Sequence, residues 1–187
     1  MTAGPGQSAQ LLLEVVPLLD RLAIPHAIVG ALAASYFGVV RGSLDADAII
    51  SVSGPTTRID QLVLSLKKLG LSVSLRMGDP SDPLIGVISL EDSHHNRVDL
   101  ILGIRGMDPA AFSRVVETSL LGSTIRIIGI EDFIAMKLFA GGPIDLNDVR
   151  GVLEISRSMI KMDLLRQLAI HFGPQTRASL ETLLTEK

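Results

Sequence analysis

Three aspartates carry the chemistry this sequence suggests. Asp45 and Asp47 stand two apart in Leu44-Asp45-Ala46-Asp47-Ala48-Ile49-Ile50. On a strand, residues two apart share a face, so both carboxylates point the same way. Side by side they repel, and each raises the other's pKa unless a cation lies between them. Hard oxygen ligands at this spacing suit Mg²⁺ or Mn²⁺. Thirteen aspartates in 187 residues make one Asp-x-Asp pair an ordinary coincidence, and an exposed pair at a strand edge explains it equally well.

Asp99 is the stronger indication. It lies in Val98-Asp99-Leu100-Ile101-Leu102, where every neighbour is large and apolar. A bare carboxylate buried there costs several kcal/mol unless it is paired or bound to a metal. The alternative is an Asp that faces solvent or meets Arg97 or Arg105. Two acidic positions on separate strands, each followed by an apolar run, favour one shared site. Two cations held by such a triad would stabilise the entering and leaving oxygens of an in-line phosphoryl displacement. The protein would then contribute mainly position and charge. Gly30, at a strand-to-helix junction, would let a triphosphate approach backbone N–H groups and a helix N-terminus. Taken alone, Gly30 reads as a turn glycine.

The elements that must position these residues follow from periodicity. Gln7 to Leu22 is expected to be a helix, interrupted or kinked at Pro17. His26 to Val29 is a short strand, and Ala31 to Phe37 a short helix closed by Gly38. Arg41-Gly42-Ser43 is a turn before a strand from Leu44 to Val52 that ends at Gly54-Pro55. Thr57 to Leu69 is an amphipathic helix stopped by Gly70. Leu71 to Met77 and Leu84 to Leu90 are strands, and Arg97 to Leu102 pairs antiparallel with the latter across the polar turn Glu91 to Asn96. Pro109 to Glu117 reads as helical and Thr124 to Ile128 as a last strand. From Ile130 onward the pattern is helical only: Glu131 to Phe139, Leu146 to Ile160, Met162 to His171 and Gln175 to Thr185. The fold class is α+β: a mixed β-sheet with flanking helices, then a helical C-terminal part. The expected division is a core over 1–128 and a helical region over 129–187 packed on it.

Composition bounds the function. Hydrophobic residues make up 47% of the chain and aromatics 3%, so an ample core must be built from Leu, Ile, Val, Ala and Met. The net charge of −3 offers no broad footprint for a phosphate backbone, although local patches leave a nucleic-acid substrate open. Cysteine is absent, which excludes disulfides, thiolate catalysis and Cys-based zinc sites. No apolar run is long enough to span a bilayer. Met1 to Gln10 lacks the basic and apolar regions of a secretory signal, so a cytoplasmic protein is expected.

Other chemistry is weaker. His94 and His95 are adjacent and would face opposite sides of a strand, and with Asp92 and Asn96 they read as a polar turn. His26 and His171 are isolated. Ser35 has no Gly-x-Ser-x-Gly context and no Walker-type loop occurs, while the methionines read as core fillers.

Taken in order, Val29-Gly30-Ala31, Gly38, Arg41-Gly42-Ser43-Leu44-Asp45-Ala46-Asp47 and Val98-Asp99-Leu100 resemble the minimal nucleotidyltransferase pattern of the polymerase-beta-like superfamily. The chain is most similar to the AbiEii-type branch of toxin–antitoxin and phage-abortive systems. That branch often continues with a segment like Ile130 to Ala140 and paired acids like Asp145 and Asp148. The likeness runs from about Ile24 to Leu153. It implies metal-dependent transfer of an NMP from an NTP to a hydroxyl of RNA (tRNA included), a protein or a small molecule, with Mg²⁺ or Mn²⁺ as cofactor. It also implies an antitoxin partner and no membrane association. Asp45, Asp47 and Asp99 would be the catalytic metal ligands, Gly30 and Ser43 would lie near the triphosphate, and Lys137 and Asp148 would bind nucleotide or shape the cleft. On the residues alone, Lys137 reads as a snorkelling surface lysine, and Asp145 and Asp148 as acids favoured by a helix dipole. The chain departs from the pattern at Ala31, where Gly or Ser is usual, at Ile144, where a base is common, and near Gly142, where Arg is often found. The phosphate side is thinner than usual and the metal side intact. The alternative is therefore a degenerate, non-catalytic nucleotidyltransferase-fold binding or regulatory protein.

Overall fold

The computed structural model describes residues 2–52 and 57–185. Seven strands form one mixed sheet: β1 (His26–Ile28), β2 (Asp45–Ile50), β3 (Ser72–Met77), β4 (Gly86–Glu91), β5 (Arg97–Ile101), β6 (Val116–Leu120) and β7 (Ser123–Ile127). Their order across the sheet is β3-β4-β5-β2-β1-β7-β6. The pairs β2–β5 and β1–β7 are parallel and the rest antiparallel, including the expected β4–β5 pair. The fold class is α+β, as the sequence implied. The expected strand end at Gly54-Pro55 lies outside the described residues.

One face of the sheet takes the aliphatic residues Ala46, Ala48, Ile50, Ile88, Leu90, Val98 and Leu100, all buried. Two amphipathic helices, α1 (Ser8–Arg21) and α3 (Thr57–Lys68), pack against each other, and α1 also packs on β2 and β5. Pro17 sits on the exposed side of α1, where its ring meets solvent, so the helix continues through it.

The opposite face is covered unevenly. On β3 to β5 it presents Ser74, Ser89 and Arg97, all exposed. After β7 comes α4 (Ile130–Ala140), buried along nearly its whole length among α5 (Pro143–Ile155), α6 (Met162–His171) and α7 (Pro174–Thr185). A helix apolar on all sides belongs inside a protein. Its two acids are matched accordingly. Glu131 accepts from the backbone N–H of Lys161 at 2.8 Å, just ahead of α6. Asp132 receives a two-pronged bond from Arg114, at 2.8 and 2.7 Å, and Arg114 also meets Asp108 at 2.9 Å. Gly141 closes α4 in the left-handed conformation at φ 66°. A single apolar cluster runs through sheet and helices, from Leu11 to Leu183.

Two expectations are corrected. Pro109 to Glu117 is not one helix: a 3-10 turn over Pro109–Ser113, capped by Asp108, gives way to strand β6. The Asp-Pro start is a genuine helix signal, yet the β-branched Val116 and Thr118 pair with β7 through the two-residue turn Leu121-Gly122, both at positive φ. The helix expected over Leu146 to Ile160 begins earlier, with Pro143 in its first turn, and stops at Ile155, followed by a separate 3-10 turn over Arg157–Met159. No helix among the described residues is long and apolar enough to cross a membrane.

Asp132 is buried and its side-chain partner is Arg114. Arg114→Ala is expected to lower unfolding stability by about 3–5 kcal/mol, since the orphaned acid stays buried. Urea titration checks this, and an unchanged midpoint would refute the assignment.

Candidate active site

Strand register brings the three aspartates together. In the parallel β2–β5 pair Asp47 stands opposite Asp99, and Asp45 opposite Arg97. All three carboxylates therefore share the face left open on β3 to β5. One oxygen from each lies within 4.8 Å of the others. Val98 and Leu100, which make Asp99 look stranded in the sequence, point to the other face and are buried there. Asp99 does not meet Arg105, whose guanidinium donates to the carbonyls of Asp82 and Asp79.

The backbone makes room for Asp47. The N–H of Val29 donates to the Asp47 carbonyl at 3.0 Å, so Gly30 follows directly over that strand. Gly30 has φ +61°, and a Cβ built there would fall on the Asp47 carboxylate. Glycine is required here for both reasons. The turn reading of Gly30 is thereby sharpened: it opens α2 (Gly30–Tyr36) and clears the space beside a carboxylate. Ser43 donates to Asp45 Oδ1 at 2.5 Å, bracing the first acid.

Electrostatics mark Asp47 as the stressed member. Burial raises its pKa to about 6, and the charges of Asp45 and Asp99 push it the same way, while Lys137 and Arg41 oppose them. Neither Asp47 nor Asp99 accepts a hydrogen bond from a side chain among the described residues. Three converging carboxylates, two without donors and one with its ionised form disfavoured, are the donor set a hard divalent cation requires. Asp45, Asp47 and Asp99 fit such an ion.

The later residues converge as well. Lys137 on α4 is largely buried, with Nζ 2.6 Å from Asp145 Oδ1 and 3.0 Å from Asp148 Oδ2. It is not a surface lysine. Asp148 on α5 is buried and also meets Arg41 Nε at 3.0 Å. Asp145 lies in the first turn of α5, whereas Asp148 is held by two cations, which a dipole preference alone does not explain. Sequence reasoning did not single out Arg41. Its only local signal is that it lies four residues before Asp45, because Asp148 stands among Asn147, Val149 and Arg150, where an acid implies no distant cation.

Two cavities flank the triad. One, of about 220 Å³, is lined by Gly30, Asp47, Ile101, Phe133, Met136 and Lys137. The other, of about 240 Å³, is lined by Ala31, Ser35, Arg41, Ser43 and Asp45. The histidines lie elsewhere. His95 Nδ1 is 2.6 Å from Glu91 in the polar turn that Asp92 organises by accepting from His94 and Asn96, and His26 is buried in β1.

By sequence, the chain matches no protein-family model and no curated protein. Solved structures do match. ANT(2")-Ia, solved with adenylyl-2"-tobramycin, superposes at TM-score 0.59 and 16% identity, covering 87% of this chain and 95% of that one. The protein has the nucleotidyltransferase fold. A candidate nucleotidyltransferase from H. pylori matches at TM-score 0.53 and 14% identity over 100% of both chains. The lincomycin-bound lincosamide antibiotic adenylyltransferase LnuA matches at 0.51 and 13%, covering 82% of this chain and 99% of that one. At these identities the likeness is one of fold.

Gly30→Ala is expected to displace the Asp47 carboxylate and abolish Mn²⁺ binding, read by calorimetry; unchanged binding would show that the close approach is irrelevant. Because Asp47 is raised above its unfolded value, its ionised form is penalised on folding. The metal-free protein should therefore lose stability as pH rises from about 4 through 6, and Asp47→Asn should stabilise it at neutral pH. Protons and metal compete for the same oxygens, so Mn²⁺ affinity should fall about tenfold between about pH 7.5 and about pH 5.

Proposed function

We propose that this protein transfers a nucleoside monophosphate from an NTP to a hydroxyl acceptor and releases pyrophosphate. The observation that carries the proposal is the convergence of Asp45, Asp47 and Asp99 within 4.8 Å beside the glycine that clears their space. The acceptor oxygen forms a bond to the α-phosphorus as the bond to the α,β-bridging oxygen breaks. Mg²⁺ or Mn²⁺ held by the triad would stabilise the charge on those two oxygens.

The chain's own residues divide the remaining tasks. Asp45 and Asp47 on β2 would hold the cations, with Ser43 fixing the first of them. Asp99 on β5 would be the third ligand and would take up or direct the acceptor proton. The apolar wall of Ile101, Phe133 and Met136 suits a nucleobase, with Lys137 and Gly30 toward the phosphates. Asp148 shapes that end of the cleft by holding Lys137. The acceptor then approaches over the open sheet face, where Ser74, Ser89, Asp99 and Asp47 stand in one row across four strands. The division into a core over 1–128 and a helical region over 129–187 is read as nucleotide-binding sheet and closing wall. The AbiEii-type likeness supports a cytoplasmic toxin restrained by an antitoxin as the biological setting.

Incubation with labelled NTPs, Mg²⁺ and candidate acceptors (small polyols, tRNA, the protein itself) tests the proposal. Label transfer by the wild type, reduced at least about a hundredfold in Asp47→Asn, is expected, the scale of losing one charge-stabilising group. NTP binding without transfer to any acceptor would favour the degenerate binding-protein reading, for which the Ala31 methyl is the supporting feature.

A further inference from the structure

We infer that Arg41 is a second phosphate-binding cation of this site and that the buried Asp148 is the positioning residue that presents it. The inference rests on the NTP reading above. Asp148 is 1% exposed. A carboxylate so deeply placed must have its charge matched, and here two cations from different elements match it. Arg41, on the irregular segment between α2 and β2, brings Nε to 3.0 Å from Oδ1 and 3.4 Å from Oδ2. Lys137, on α4, brings Nζ to 3.0 Å from Oδ2. One acid on α5 therefore ties together the segment that leads into Asp45 and the helix that walls the nucleotide cavity.

Arg41 is not used up by this contact. A guanidinium carries five N–H donors in a fixed fork. Nε is engaged with Asp148, and Nη1 reaches the Gly42 carbonyl at 3.5 Å. Nη2 has no partner among the described residues. The side chain is 29% exposed and lines the cavity that also contains Ser35, Ser43 and Asp45, while Lys137 lines the one on the Asp47 side. Both cations act electrostatically on Asp47, so both are within range of the triad. Cations bound by the triad offset the triad's own charge first, and the outer phosphates of an NTP then need positive groups from the protein. Ala31 offers them no side-chain donor, and Ile144 is a largely exposed hydrocarbon. Arg41 and Lys137, one beside each metal-ligating acid of β2, supply that charge. An arginine on an irregular segment would otherwise sample many rotamers, and the anchored Asp148 removes that freedom before the nucleotide arrives.

A pure stability tie and a phosphate contact differ in what they discriminate. The test is calorimetric titration of each Mg·NTP and its NMP into wild type, Arg41→Gln, Arg41→Lys and Asp148→Asn, with thermal unfolding in parallel. Wild type is expected to bind one NTP more tightly than the matching NMP. Arg41→Gln should weaken the NTP by about ten- to hundredfold, the range for a lost charge-assisted bond, and leave the NMP little changed. Arg41→Lys should fall between, and Asp148→Asn should show the same selective loss. Equal losses for NTP and NMP, or a lower Tm with the ratio intact, would overturn the inference while leaving the NTP reading standing. Should Arg41→Gln not fold, the ratio in Arg41→Lys decides. A wild type that binds no NTP would sink the NTP reading itself, and this inference with it.

Discussion

Mutual repulsion among three carboxylates is the constraint around which this molecule is arranged. Asp45, Asp47 and Asp99 stand within 4.8 Å of one another, and at Asp47 burial first and the two neighbouring charges second disfavour the ionised form and raise its pKa. A protein selected for stability alone would separate such groups. Here the parallel register of β2 and β5 holds them side by side, a glycine at positive φ gives Asp47 its space, and Ser43 braces Asp45. Unfavourable charge concentrated at one point is the usual mark of a site whose binding partner relieves it.

Relief within the protein is partial. Lys137 and Arg41 both act on Asp47, yet each is also bound to Asp148, and Lys137 additionally to Asp145. These four groups form a charge-balanced chain from α5 through α4 to the segment before β2. Around it the fold is conventional: an aliphatic face of the sheet under α1 and α3, and a central helix α4 enclosed by three others. The polar face of β3 to β5 stays uncovered, so the triad sits where covered and uncovered halves of the sheet meet.

Much of this was legible in the sequence, for identifiable reasons. The period-two spacing of Asp45 and Asp47 on an apolar strand fixes their common face whatever the tertiary structure does. Helices α1, α3 and α6 announce themselves by periodicity, because each has one buried stripe. Strand β6 did not, since a capped Asp-Pro start outweighed a short β-branched run whose partner lies beyond a tight turn. Lys137 reads as a surface lysine because the two acids that hold it, Asp145 and Asp148, lie on the next helix. Arg41 was hidden for a related reason: its partner is 107 positions away, on α5. Gly30 illustrates the limit well, since its proximity to Asp47 is a property of strand pairing, and no spacing rule contains it.

The central claim is that the three aspartates form one divalent-cation centre. A crystal structure with Mn²⁺ and a non-hydrolysable NTP analogue, phased on the manganese anomalous signal, addresses it directly. The account predicts an anomalous peak within direct ligation distance of oxygens from Asp45, Asp47 and Asp99, with the analogue's phosphates completing the coordination. Manganese bound elsewhere, or a triad whose oxygens meet only water and protein donors at saturating Mn²⁺, would contradict it.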